Sequence, residues 1–186
     1  MMLVMILRTL SCLIQIVEGP TRLKDIKFIG CGCDMSFNKD QLRDLIIRVL
    51  KKVDNFYSED AVTLLMMTAA SESDLGTYLH QVKGPAKGLM QVEPATMRDN
   101  YGSYLHFRDK LKEQIFSACH VGMPDVDALE YNIALNILMA RVKYYRAPGP
   151  IPSTLEGMAM YHEEFYNAGG AAHWEITLEK YQKFCL

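Results

Sequence analysis

The residues best placed to do chemistry are Ser71-Glu72-Ser73-Asp74, a polar cluster that closes an Ala- and Met-rich stretch and opens onto a glycine-punctuated one. A carboxylate at the end of an apolar helix loses solvation and faces the negative end of the helix dipole, and both effects raise its pKa. No lysine or arginine follows closely along the chain to offset them. A glutamic acid that keeps its proton near neutral pH can hand it to a leaving oxygen, so Glu72 is the candidate general acid. Position alone also fits a plainer reading, a solvent-facing glutamate in a last helical turn. Two-carboxylate chemistry would need a partner from Asp74, Glu93 or Asp99. Asp74 is too near in sequence to share a helix face with Glu72. Glu93 could line the same cleft as the acid or face solvent. Gln91 offers donor and acceptor groups to a sugar hydroxyl or N-acetyl group, or could brace a hairpin.

Helices must position these groups. Asn38, with Gln41 three residues on, predicts a capped start. Leu42, Leu45, Ile46, Val49, Leu50 and Val53 then recur at helical spacing, to about Lys52. A second helix is expected from Ser58 to near Gly76, burying Val62, Leu65, Met66, Ala69 and Ala70. Residues 77–96, broken by Gly84, Pro85, Gly88 and Pro94, predict an irregular loop or small hairpin. Further helices are predicted from Asp109 to His120 and from Asp127 to Arg146, before Pro148-Gly149-Pro150. A capping box at Ser153-Thr154-Leu155-Glu156 opens another to about Asn167, and Thr177–Phe184 closes the chain.

Glu72-Ser73 followed by Gly84-Pro85-Ala86-Lys87-Gly88-Leu89-Met90-Gln91-Val92-Glu93-Pro94-Ala95-Thr96 resembles the signature of soluble lytic transglycosylases and the related goose-type lysozymes. In that family a catalytic Glu-Ser ends a helix, and a Gly-Leu-Met-Gln turn and Pro-x-Thr follow. Asn132 to Met139 resembles the family's Asn-Ile-x-x-Gly-x-Tyr-Leu helix, with Asn136 where glycine is usual and Leu138-Met139 where Tyr-Leu is usual. Met158-Ala159-Met160-Tyr161-His162 resembles the start of the family's Ala-x-Tyr-Asn motif, with His162 replacing asparagine. Tyr166-Asn167 is the other placement of that motif. Tyr161 is preferred because it sits mid-helix after small residues.

The resemblance spans roughly Ser58 to Phe184. It implies a mainly α, lysozyme-like α+β domain with a small hairpin beside a groove, acting on the glycan strands of peptidoglycan. It implies Glu72 and Tyr161 as catalytic residues, with Ser73, Gly88, Leu89, Met90, Gln91, Tyr166 and Asn167 binding substrate. The glycines would let backbone approach a sugar chain. The implied reaction is lytic transglycosylation, in which one glutamate serves as acid and then base while the sugar's C6 hydroxyl closes a 1,6-anhydro ring. A hydrolytic lysozyme using Glu72 and Glu93 is the alternative. A non-catalytic virion or wall-binding protein on the same scaffold is the rival of a different class. The Glu93-Pro94-Ala95-Thr96 variant and the Tyr161/Tyr166-Asn167 spacing look most like phage-encoded members. That implies a monomer acting on the wall, either within a virion or as an endolysin made in the host cytoplasm.

Composition agrees with a single domain of 186 residues, 49% of them hydrophobic, with a formal net charge of −2. No basic surface is on offer for nucleic acid, and Arg141, Lys143 and Arg146 read as a solvated helix face. Five cysteines are odd in number and scattered, as expected for reduced thiols. Neither the cysteines nor the five histidines fall at metal-ligand spacing, and no cofactor is expected. The folded domain is expected over residues 35–186. Residues 1–34 read as a weakly structured extension or a signal-anchor. Their apolar run, Leu3 to Val17, contains Arg8 and falls short of the ~20 residues that span a bilayer.

Overall fold

The computed structural model of the chain describes residues 36–122, 125–168 and 173–186. The expected extension at 1–34 lies outside them. The described residues form eight α-helices and no strand: α1 Lys39–Leu50, α2 Glu59–Ser73, α3 Pro94–Asp99, α4 Asp109–Cys119, α5 Ala128–Tyr131, α6 Ile133–Tyr145, α7 Leu155–Phe165 and α8 Trp174–Cys185. Among them no helix is long and apolar enough to cross a membrane.

The helix starts follow from side-chain caps. Asn38 Oδ1 accepts from the amides of Asp40 and Gln41, Ser58 Oγ from Ala61, and Thr154 Oγ1 from Gly157. Each satisfies a donor that a helix leaves unpaired at its first turn. Where one helix was predicted from Asp127 to Arg146, there are two. The chain breaks at Asn132 (φ −99°, ψ 93°), whose Oδ1 caps α6 at the Leu135 amide while its Nδ2 donates to the Cys119 carbonyl. One side chain thus ends α5, starts α6 and ties both to α4.

The core is organised around α2. Its flanks Val62, Leu64, Leu65, Met67, Ala69 and Ala70 are all fully buried, so it is covered on every side rather than along one stripe. It packs against α1, α6, α7 and α8. A helix apolar all round belongs at the centre of a domain, and its methionines fill the irregular spaces between four neighbours.

The expected hairpin reduces to two isolated antiparallel bridges, His80–Lys87 and Lys87–Val92. Beyond it lies structure that periodicity did not predict. Pro94 starts the short helix α3, which runs into a π turn at Asn100–Tyr104 and a 3-10 turn at Leu105–Phe107. Asn100, fully buried, holds this turn by donating to the Met139 carbonyl at 3.0 Å.

Candidate active site

Glu72 sits in the last turn of α2, between a residue that anchors the turn and one that ends it. Ser73 is fully buried; its hydroxyl donates to the Leu89 carbonyl (2.6 Å) and accepts from the Gly76 amide (2.8 Å). Asp74 then takes a left-handed conformation (φ 49°), which stops the helix. Glu72 is left with 23% of its side chain exposed. It emerges from the core without being sealed inside it.

The end of α2 does have a cation, brought by α8 from far along the chain. Lys180 Nζ donates to the Ser71 carbonyl at 2.8 Å and lies 3.0 Å from Asp74 Oδ1. It offsets the negative end of the helix dipole. The expectation that nothing compensates the dipole is therefore corrected. Asp74 is a candidate second carboxylate occupied by this lysine. Asp99, another, is held below the usual carboxylate range by hydrogen bonds from Ser103 and Arg146.

Against Glu72 stands His162. The imidazole is fully buried, and its Nε2 lies 3.2 Å from Glu72 Oε1. Its ring stacks on Tyr166 at 5.5 Å and 19°. Tyr166 stacks in turn on Tyr144 at 5.1 Å, and Tyr144 on Tyr161 at 5.9 Å. Burial pushes the Tyr144 and Tyr166 phenols well above their usual range, and the Glu72 charge adds to it at both. At Tyr166 the Glu93 charge acts as well. Lys143 belongs to the same surroundings: burial holds its pKa down while Glu72 and Glu93 oppose that effect. Its ammonium donates to the Tyr166 carbonyl at 2.6 Å.

Glu72 and Glu93 thus both act on Lys143 and Tyr166, and His162 lies between Glu72 and Tyr166 in contact with each. Tyr161, preferred as the catalytic tyrosine, is placed differently. It is 7% exposed, with its hydroxyl 3.5 Å from the Tyr144 carbonyl. Its phenol is raised by burial and answers to Arg141 and Glu164. Of the two tyrosines, Tyr166 is the one stacked on His162 and reached by the Glu72 charge. Asn167 follows it, its amide capping α7 on the His162 carbonyl.

Most residues expected to touch substrate are scaffold. Ser73, Gly88, Leu89 and Met90 are all buried. Gly88 is glycine because of protein rather than sugar: at φ +75°, a Cβ there would sit 2.1 Å from the Leu129 carbonyl oxygen and 2.6 Å from Asn136 Nδ2. Gln91, 8% exposed, donates its amide to the Gly88 carbonyl at 2.8 Å and so braces its own turn. Asn136, where the resemblance has glycine, bonds the same turn twice. Its Oδ1 accepts from the Met90 amide (2.6 Å) and its Nδ2 donates to the Lys87 carbonyl (2.9 Å). Tyr166 adds a hydrogen bond from its hydroxyl to the Met90 carbonyl at 2.7 Å.

An open cleft of about 510 Å³, a volume in the range of ligand sites, is lined by Thr96, Asp99, Asn100, Lys143, Arg146 and Phe165 among others. Lys143 connects it to the surroundings of Glu72; the acid, Gln91 and Tyr161 do not line it. The three cations expected to form a solvated face divide instead. Arg141 is buried and donates to the Phe56 carbonyl, Lys143 is turned to Tyr166, and Arg146 pairs with Asp99 at 2.6 Å. Among the described residues no group of histidines, cysteines and carboxylates could hold a metal ion. Lys180 and His162 were missed as partners of the acid's turn. His162 carried a signal, since it departs from the resembled motif beside a candidate tyrosine; Lys180 carried none.

No protein-family model, curated protein or solved structure matches the chain.

Proposed function

We propose that the chain is a peptidoglycan muramidase that cleaves the β-1,4 bond between N-acetylmuramic acid and N-acetylglucosamine by lytic transglycosylation. Glu72 protonates the glycosidic oxygen as the C1–O bond breaks. The carboxylate left behind then takes the proton of the C6 hydroxyl as that oxygen closes on C1. The products are a free 4-hydroxyl and a 1,6-anhydro ring, and no water is consumed. The observation that carries this reading is a partly exposed carboxylate, ending a buried helix, pressed against a buried imidazole–tyrosine stack. The turn resembling Gly-Leu-Met-Gln is tied to the residue after Glu72 by the Ser73–Leu89 hydrogen bond, which supports the reading. In this reading the enzyme acts on the wall as a phage product.

A hydrolytic lysozyme is the second reading, favoured by one observation: Glu93 acts together with Glu72 on both Lys143 and Tyr166. The two are separated by mass spectrometry of peptidoglycan digested with the purified chain. Anhydromuropeptides are expected. Reducing ends alone would move the assignment to a hydrolase, with Glu93→Gln as the next variant. Binding to purified walls without release of any fragment would leave a non-catalytic wall-binding protein.

A further inference from the structure

His162 departs from the resembled motif at the point where the structure puts it against the acid. Neither of its ring nitrogens has a hydrogen bond among the described residues, although the side chain is fully buried. Buried polar groups are seldom left so. Nε2 is 3.2 Å from Glu72 Oε1, in contact but off the line its N–H requires. The imidazole is held in place by its stack on Tyr166, itself anchored to the Met90 carbonyl. The carboxylate, with 23% of its side chain exposed, has room to turn. A proton on Nδ1 would be buried with no acceptor, whereas one on Nε2 faces the Glu72 carboxylate. Such a donor does little for a protonated acid and much for a carboxylate.

We propose that His162 is a positioning residue that receives the Glu72 carboxylate once it has given up its proton, holding Oε1 through an Nε2–H hydrogen bond until the second half of the reaction. This rests on the reading of Glu72 as acid and then base. The imidazole transfers no proton: one passes from Glu72 to the leaving oxygen, and one returns to Glu72 from the attacking hydroxyl. The neighbouring groups are otherwise committed. On α6, Lys143 donates to the Tyr166 carbonyl and Tyr144 bonds Thr68; on α8, Lys180 holds Ser71 and Asp74. Beyond α7, Tyr166 is bound to Met90, and Glu93, before α3, is exposed. Lys143 shares the surroundings of Glu72, and His162 lies in contact with its carboxylate.

The test is an NMR titration of the Glu72 side-chain carboxyl in the full chain, in wild type, His162→Phe and His162→Gln, with peptidoglycan clearing followed against pH in parallel. Loss of a donor to the ionised form is expected to move the Glu72 midpoint up by about one pH unit in His162→Phe. His162→Gln, which keeps an N–H at that distance, should return it toward wild type, and the alkaline limb of activity should move in step. A midpoint unmoved in His162→Phe overturns the proposal. Should that variant not fold, nitrogen shifts of the wild-type ring decide: a hydrogen on Nε2 supports the pairing, and one on Nδ1 overturns it. Cleavage with an unmoved midpoint would sink His162 and leave the muramidase standing. A moved midpoint in a chain that releases no fragments would do the reverse.

Discussion

Tyr161 and Tyr166 leave the α7 region roughly 140° apart, because five helical steps make about one and two-fifths turns, and so they meet different neighbours. Both are buried, and both sit in sequence contexts that fit a catalytic tyrosine. Sequence alone could not choose, since the choice depends on which way α7 is rotated against α2 and α6. The hydroxyl contacts separate them. Tyr166→Phe removes a 2.7 Å hydrogen bond and strands the buried Met90 carbonyl, which should cost about 1–3 kcal/mol. Tyr161→Phe gives up only a 3.5 Å contact and should stay within about 0.5 kcal/mol of wild type. Urea denaturation of both variants checks this, and equal losses would contradict the assignment. The place of Glu72 in the last turn of α2 was legible because a helix end is a local feature. Its surroundings were not, because His162, Lys143 and Lys180 reach it from three other helices.

Helix starts were legible where a side chain caps the first turn, as at Asn38 and Ser58. Helix α7 is capped by Thr154, one residue after the Ser153 of the expected capping box. The failures were of another kind. The break at Asn132 hides inside a continuous apolar pattern, because an asparagine can cap or sit mid-helix and the long-range bond to Cys119 decides. The π turn at Asn100–Tyr104 follows no periodicity and is fixed by Asn100 reaching the Met139 carbonyl and by Arg146. Asn136 is a bulky polar residue where the resembled helix has glycine. It proves to be a clamp between α6 and the turn at residues 87–90. Restoring the resembled residue with Asn136→Gly should therefore destabilise, by about 2–4 kcal/mol, as a buried amide and a carbonyl lose their partners. A chemical denaturation midpoint at or above wild type would show that the two bonds contribute nothing.

At the scale of the whole molecule, the mainly helical class could be read from periodicity. That α2 is the helix surrounded by the rest could not be read with the same clarity, though its lack of a polar face pointed that way. The same burial sets an alkaline limit on stability. Burial pushes the Cys119 thiol from 9.0 to about 12 and the Cys185 thiol to about 11. Tyr144 and Tyr166 are shifted upward by the same cause. An unfolded thiol ionises near its ordinary value while the folded one keeps its proton, so the native state binds more protons above that point. Stability from these groups is whole below about pH 9 and falls as pH rises toward the folded values. Denaturation midpoints in urea should drop between pH 8 and pH 10.5, more in wild type than in Cys119→Ala. A pH-independent midpoint across that range would contradict it.

The most direct measurement compares wild type and Glu72→Gln for clearing of purified peptidoglycan, with circular dichroism to verify folding. The amide preserves the side chain's shape beside His162 and removes the acidic proton. A fall in activity of about 10²–10⁴-fold in a variant as helical as wild type is the expected result. Equal clearing by the two proteins would mean that the carboxyl group ending α2 takes no part in cleavage.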